Sequence, residues 1–326
     1  MASIAKICTR HTDRTEKAQA ATPPLARPAV QFASKEIKRM QHHFIQSKDV
    51  LKLHYSETGA HNASLPVVCL PGLSRPAADF DKIAAILASG NVGAPRRVIQ
   101  IDYRGRGLSD WDKNPKNYTL PQEHADMMQV LDHLGISKAI FLGTSRGGLQ
   151  TMFTASLNPA LIVACILNDI GPVIENEGLA RIQAYVGKFP PVKTWREIID
   201  ILKIGMEPQF PSVTDAEFET YAHISFVEKD GNITMRYDPA LTEALKTFDL
   251  SKPIPPAWSL FDLLKQTPML IIRGSNSDLF TRQTAGEMML RNEHAEFFEV
   301  GGQGHAPLLL DDLTCNRIAK FIAKQD

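Results

Sequence analysis

The stretch AIFLGTSRGG, residues 139–148, decides how the chain folds. Its apolar start predicts a buried strand, and the amphipathic stretch RGGLQTMFTASLN, which begins at residue 146, predicts a helix. Such a tight turn from strand to helix forces Ser145 into a strained backbone conformation, and the glycines on either side leave room for neighbouring chain. The Ser145 hydroxyl should therefore stand exposed at the sheet edge. The alternative is a glycine-rich helix start capped by a serine.

Outward from this stretch, short β-type runs alternate with longer amphipathic runs. The other predicted strands are HHFIQ, VLKLHYSE, PVVCLPG, RRVIQIDY, IVACILND, PMLIIRG and AEFFEVG. Strands separated by helices need crossover connections, which give a parallel sheet covered on both faces. The first two strands are too close for a crossover and should form an antiparallel hairpin. The sequence thus predicts an α/β fold with an eight-stranded, mostly parallel sheet and helices on both faces.

The alternation stops over residues 172–266, where four helical stretches follow one another and no buried strand is predicted. We expect a helical cap inserted between two parts of an α/β core, residues 40–171 and 267–326. Such a cap would cover the carboxyl edge of the sheet, where open α/β sheets place their ligands. The alternative is a second, independent domain.

Residues 1–39 show no sustained periodicity and contain three prolines, with eight basic and three acidic residues. We expect a disordered extension; an organellar transit peptide and a start at Met40 are the alternatives. The segment contains no apolar run typical of a secretory signal, so the expected location is the cytoplasm.

Composition excludes several classes of protein. Lysine plus arginine and aspartate plus glutamate number 36 each, so the zero net charge gives no reason to expect a nucleic-acid partner. The longest apolar run, residues 161–167, is too short for a membrane span, which needs about 20 residues. The four cysteines lie far apart, without the spacing of a disulfide framework or a zinc site. We expect no metal and no cofactor, a small-molecule partner, and either a monomer or a homo-oligomer.

A serine nucleophile needs a base and an acid that orients this base. His305 follows the last predicted strand in a glycine-rich loop and is the candidate base. In the chain order typical of this turn, the acid lies between the serine and the histidine. Asp278, in the loop GSNSD after the strand PMLIIRG, is our first candidate for the acid. Asp169, which ends the strand IVACILND, is the second candidate.

Attack on a carbonyl places negative charge on its oxygen, which two backbone N–H groups can stabilise. One N–H should belong to Arg146, directly after the nucleophile, at a helix amino terminus. The other should come from the loop after the third strand, where we choose Leu73, directly after Gly72.

The motifs PGLSR, DYRGRGLSD, GTSRGG, GSNSD and GQGH together resemble the alpha/beta-hydrolase superfamily over residues 40–326. The chain is similar to its capped branch of small esterases, lactonases and carbon–carbon bond hydrolases. The resemblance implies a serine hydrolase that cleaves a small ester or lactone through an acyl-enzyme. In the segment DYRGRGLSD we expect Asp102 or Asp110 to pair with Arg104 or Arg106 in a rigid loop.

Pro71 departs from the pattern of this superfamily, in which many members have His at this place, and so does one of two arginines beside the expected oxyanion donors. Arg146 stands where Met or Gln is frequent, and Arg75 lies on the loop of Leu73. Both guanidinium groups could face the pocket and bind a carboxylate, or each could pair with a protein carboxylate. A carboxylate site would favour cleavage of a carbon–carbon bond in a diketone or dienol acid. A non-catalytic binding protein is a further alternative.

Overall fold

The computed structural model describes residues 40–325, with the exception of residues 60, 63, 191, 247 and 248. The prediction for residues 1–39 therefore lies outside the described residues. The strands are β1 Gln41–Gln46, β2 Lys52–Thr58, β3 Val67–Leu70, β4 Val98–Ile101, β5 Ala139–Thr144, β6 Ile162–Asn168, β7 Phe226–Lys229, β8 Asn232–Met235, β9 Met269–Gly274 and β10 Ala295–Val300.

Eight of these strands form one sheet in the order β1-β2-β4-β3-β5-β6-β9-β10. Strand β2 is antiparallel to both of its neighbours, β1 and β4, and every other pairing in the sheet is parallel. The predicted eight-stranded sheet and its antiparallel hairpin are confirmed. Because β5 lies in the middle of the order, the turn after it stands at the centre of the sheet's carboxyl edge.

The helices are α1 Asp81–Ser89, α2 Leu120–His133, α3 Arg146–Leu157, α4 Asn176–Tyr185, α5 Trp195–Met206, α6 Asp215–Ser225, α7 Thr242–Leu245, α8 Trp258–Phe261, α9 Arg282–Arg291 and α10 Asp312–Ile322. Central strands are buried along their whole length because both faces are covered. Alternate side chains of β5 therefore enter two separate apolar clusters. Phe141 belongs to one cluster, with helices α2 and α3, and Leu142 to the other, with α1 and α10.

In its described residues, the segment between β6 and β9 carries the helices α4 to α8. It also contains an antiparallel hairpin of β7 and β8, which pairs Phe226 with Met235. The hairpin turn places Asp230 and Gly231 at positive φ, 52° and 73°. Two consecutive positive φ values are typical of the hairpin turn that the dipeptide Asp-Gly favours. The sequence predicted helices and no buried strand in this segment, and this short, mostly unburied hairpin was not predicted.

The inserted segment has a small apolar core of its own. Ile198 of α5, Ala222 of α6 and Ile233 of β8 are buried against one another. Helices α5 and α6 each begin with a capping box, in which a threonine and a glutamate three residues later satisfy each other's backbone N–H groups. These local features make the segment a defined layer rather than a long loop. In the described part of the chain, no helix combines the length and the apolar character needed to cross a bilayer.

Candidate active site

Ser145 occupies the turn between β5 and α3 with φ 50° and ψ −111°. A residue with a side chain rarely adopts this backbone region, so the turn holds Ser145 under strain. The turn is tight because its glycines lie against backbone. A Cβ on Gly147 would stand 1.9 Å from the carbonyl oxygen of Leu70, and one on Gly143 would stand 2.4 Å from the backbone of Gly147. The predicted turn is therefore present, with glycine required on both sides.

His305 reaches Ser145 from the loop after β10. Its Nε2 lies 2.8 Å from the Ser145 Oγ, a hydrogen-bond distance, although 160 residues separate the two. The His305 side chain is only 5% exposed, so the imidazole is largely shielded from water. The structure thus brings together the two residues that the sequence analysis named as nucleophile and base.

Asp169 holds the other side of the imidazole. Its Oδ2 lies 2.8 Å from the His305 Nδ1 and also accepts a hydrogen bond from the Ser277 hydroxyl at 2.6 Å. The Oδ1 accepts a hydrogen bond from the Gly274 N–H at 2.7 Å. Asp169 is fully buried, so these three partners fix its carboxylate in one orientation.

The first candidate for the acid, Asp278, lies elsewhere, and this expectation is corrected. The guanidinium of Arg181, on α4, donates two hydrogen bonds to the Asp278 carboxylate, at 2.6 and 2.9 Å. Burial alone would raise the pKa of Asp278, but the Arg181 guanidinium and a hydrogen bond from Gln209 together hold this pKa below its usual value. The loop after β9 contributes the Ser277 hydroxyl to the surroundings of Asp169. The carboxylate of the same loop, Asp278, pairs instead with Arg181 of the inserted segment. The second candidate, Asp169, is the residue in contact with His305.

The two segments expected to supply oxyanion N–H groups also meet at this place. Leu73 lines a small cavity of about 100 Å³ together with Ser145 and His305. Arg146 is the first residue of α3, where backbone N–H groups have no partner within the helix. Their roles in binding an oxyanion stay a prediction.

The two arginines considered for substrate binding pair with protein carboxylates. Arg75 donates through Nε to Asp79 at 2.8 Å, also hydrogen-bonds Ser225, and lies over the Tyr221 ring. Burial disfavours the charged guanidinium, yet Asp79 keeps the pKa of Arg75 above its ordinary value. Arg146 donates through Nε to Glu123 at 2.6 Å. Of the two alternatives left by the sequence, the structure has the one in which each arginine pairs with a protein carboxylate.

A larger cavity of about 450 Å³ adjoins the small one and shares Arg75, Tyr221 and His305 with it. Most of its walls come from the inserted segment, including the aromatic residues Phe189 and Phe210. A cavity of this size and apolar character suits a small organic molecule. Among the residues that the structure describes, no cluster of three or more His, Cys, Asp or Glu side chains is arranged to hold a metal ion.

Comparison with known proteins agrees with this geometry. A model of the alpha/beta hydrolase family matches residues 67–315. The chain is 31% identical to a 3-hydroxybutyrate-oligomer hydrolase of Cupriavidus necator, over 82% of this chain and 92% of the relative. It is 24% identical to a 2-(acetamidomethylene)succinate hydrolase of Mesorhizobium japonicum, over 69% of this chain and 78% of the relative.

Among solved structures, an alpha/beta hydrolase of Novosphingobium aromaticivorans superposes with a TM-score of 0.81 at 34% identity and covers 88% of this chain and 99% of its own. The sheet order, the strained serine turn and the family match lead to the same conclusion. The chain is a hydrolase that belongs to the alpha/beta hydrolase family.

Proposed function

We propose that the chain is a serine esterase that works through an acyl-enzyme, with Ser145 as nucleophile, His305 as base and Asp169 as orienting acid. The observation that carries the proposal is the unbroken chain of contacts from Ser145 Oγ through both imidazole nitrogens to Asp169, with 2.8 Å at each step. This is the arrangement by which a weak hydroxyl nucleophile is activated at neutral pH.

In the first half-reaction, Ser145 Oγ attacks the ester carbonyl carbon while His305 Nε2 takes the hydroxyl proton. The imidazolium then gives this proton to the leaving alkoxide, which departs as an alcohol and leaves the acyl group on Ser145. In the second half-reaction, His305 takes a proton from water, the resulting hydroxide attacks the acyl carbon, and the proton returns to Ser145 Oγ as the acid leaves. Throughout, Asp169 accepts from Nδ1–H and stabilises the imidazolium.

The backbone N–H groups of Leu73 and Arg146 complete the proposed machinery by binding the oxyanion in both steps. Two features support this assignment. Leu73 borders the cavity that contains the Ser145 side chain, and the N–H of Arg146 stands at a helix amino terminus, where the helix dipole favours negative charge.

For the substrate, we propose short oligoesters of a hydroxy acid, the class named for the Cupriavidus relative. The relation covers most of both chains at 31% identity. The apolar cavity of about 450 Å³ next to His305 is large enough for an acyl unit of several carbons. Carbon–carbon bond cleavage is less well supported, because the guanidiniums that would grip its carboxylate substrate are paired with Asp79 and Glu123. The three described cysteines are free and buried, which supports the expected cytoplasmic location.

The test is a comparison of dimers and trimers of 3-hydroxybutyrate with p-nitrophenyl acetate and a simple lactone, measured by release of acid. We expect the oligomers to give the highest kcat/KM and the Ser145→Ala variant to give no turnover on any of them. Preference for the plain acetate or the lactone would contradict the substrate class. Full activity of Ser145→Ala would contradict the mechanism itself.

A further inference from the structure

A buried carboxylate on α2 pairs with two arginines close to the nucleophile and has no part in the mechanism described so far. Glu123, on α2, is fully buried. Its Oε2 accepts a hydrogen bond from Arg146 Nε at 2.6 Å, and its Oε1 lies 2.8 Å from Arg106 Nη1. One buried negative charge therefore stands between two guanidinium groups. A carboxylate is rarely buried completely unless it is paired in this way.

The same two arginines reach both segments of the proposed oxyanion hole. Arg106 Nε donates to the carbonyl oxygen of Leu73 at 2.7 Å. Arg146 is the residue whose backbone N–H is the other proposed donor. Glu123 thus connects, through one guanidinium on each side, to Leu73 on the loop after β3 and to the first turn of α3.

These contacts replace the pairing that we expected in the segment DYRGRGLSD. Asp102 contacts the imidazole of His54 at 2.6 Å, and Asp110 accepts from the Lys52 N–H at 2.8 Å. Neither of these two carboxylates pairs with Arg106, which pairs instead with Glu123 on α2.

The Glu123–Arg106 pair is buried and sparsely hydrogen-bonded. Glu123 Oε1 and Arg106 Nη2 have no hydrogen-bond partner in the described part of the chain, so the 2.8 Å approach of Oε1 to Arg106 Nη1 is an ion-pair contact without a hydrogen bond. Burial lowers the pKa of Arg106, and the Glu123 carboxylate opposes this effect. Arg106 also donates to the carbonyl oxygens of Leu73 and Arg104, but among the described residues Glu123 is the carboxylate that pairs with it. Loss of the Glu123 charge should therefore disturb Arg106 and hence its hold on Leu73.

We infer that Glu123 is a positioning residue of this enzyme, which fixes the two oxyanion donors relative to each other through Arg106 and Arg146. The inference rests on the proposed function, since it assigns a role within that mechanism. It also explains why the residue after the nucleophile is an arginine: its side chain is one of the two connections, and its backbone N–H is the donor. A preorganised donor stabilises charge only if it already stands where the oxyanion forms.

A merely structural role makes a different prediction. If Glu123 only holds α2 against the loop, its loss lowers stability and leaves the chemical step intact. If it positions the donors, its loss acts on the transition state and not on the bound ester, so kcat falls while KM stays nearly constant.

The decisive variant is Glu123→Gln, which keeps the side-chain volume and removes the charge. Asp126→Asn is its matched control, because Asp126 lies on the same helix and accepts two hydrogen bonds at 2.7 Å from Arg104, in the same loop as Arg106. The Arg104 side chain also binds Asp49 and Asp112 and therefore keeps two counter-charges in the control. Both variants are assayed well below their melting temperatures, on one neutral ester and with a boronic acid that forms a tetrahedral adduct on the serine.

Removal of an entire oxyanion donor costs about 10²- to 10³-fold in kcat, so displacement of two donors by Glu123→Gln should cost about 10- to 100-fold. We expect KM to change little and the affinity for the boronic acid to fall in parallel with kcat. Asp126→Asn should keep both kcat and boronic-acid affinity. Unchanged kcat in a folded Glu123→Gln, or equal losses in the two variants, would overturn the inference.

If Glu123→Gln does not fold, Arg146→Met tests the same connection. This variant keeps the backbone N–H and removes one of the two guanidinium contacts to Glu123, at a side chain that already reaches solvent. We expect a smaller loss of kcat and of boronic-acid affinity at constant KM, and unchanged kcat would overturn the inference. A wild-type protein that hydrolyses no ester would instead contradict the proposed function, which separates the two failures.

Discussion

The carboxylate of Asp169 and the imidazole of His305 are joined at 2.8 Å across 136 residues of sequence. Asp169 follows β6 and His305 follows β10, and β9 lies between these two strands in the sheet. The Gly274 N–H at the end of β9 and the Ser277 hydroxyl beyond it both donate to the same carboxylate. The carboxyl ends of three strands thus cooperate to hold one hydrogen-bonded pair.

This pairing predicts which carboxylate matters for turnover. Asp169→Asn should lose about 10⁴-fold in kcat, because an amide would favour the wrong imidazole tautomer. Asp278→Asn is the matched control: it lies in the loop beside the site, and its expected effect is a lower melting temperature through its contact with Arg181. Both kcat values are measured on one neutral ester. The opposite ranking of the two variants would restore Asp278 as the acid.

Sequence reasoning identified Ser145 and His305 as neighbours because each follows a strand signal in a glycine-rich turn. It preferred Asp278 over Asp169, although both follow strands at the same edge. The two aspartates differ in their partners, because Asp278 pairs with Arg181. This arginine lies 97 residues away in the sequence, so no local pattern predicts the contact. The hairpin of β7 and β8, in contrast, could be predicted from the sequence, because Asp230-Gly231 between alternating residues is a hairpin signal.

The strained turn predicts that two inactive variants differ in stability. Ser145 has φ 50° and ψ −111°, a region that glycine enters more easily than alanine. Ser145→Gly should therefore be more stable than Ser145→Ala by about 1 kcal/mol, since release of backbone strain exceeds the added entropy of the unfolded chain. Denaturant unfolding of both variants measures the difference. An alanine variant that is the more stable of the two would show that the turn is relaxed.

Arg75 should contribute to the stability of the fold and not to the recognition of a charged substrate. It hydrogen-bonds both Asp79, a few residues beyond Leu73, and Ser225 at the end of α6. Arg75→Met removes hydrogen bonds to a charged group, each worth about 1.5 to 3 kcal/mol, and leaves Asp79 without its counter-charge. We expect a lower melting temperature and similar relative losses of kcat/KM for a neutral ester and for a carboxylate-bearing ester of equal size. A loss confined to the carboxylate-bearing ester would instead assign Arg75 to substrate binding.

Asp81 makes stability depend on pH. Burial raises the pKa of this carboxyl to about 6 from the ordinary value of 3.8, so the folded chain binds its proton more tightly than the unfolded chain does. The free energy of unfolding therefore decreases as the pH rises from about 4 to about 6. Asp81→Asn removes this effect and keeps an oxygen for the hydrogen bond from Gln100.

The variant should be more stable than the wild type at pH 7.5, by about 1 to 3 kcal/mol, and this advantage should disappear near pH 4. Denaturant unfolding of both proteins at the two pH values provides the measurement. A variant that is less stable than the wild type at pH 7.5 would mean that the charged carboxylate is favourable in the fold.

Covalent labelling by a fluorophosphonate tests the central claim, that Ser145 is a nucleophile activated by His305, most directly. Mass spectrometry of the intact protein and of its peptides should show one adduct, located on Ser145. The adduct should be absent in Ser145→Ala and formed far more slowly in His305→Ala. A protein that hydrolyses esters but carries no adduct on Ser145, or that is labelled equally fast without His305, would contradict the account.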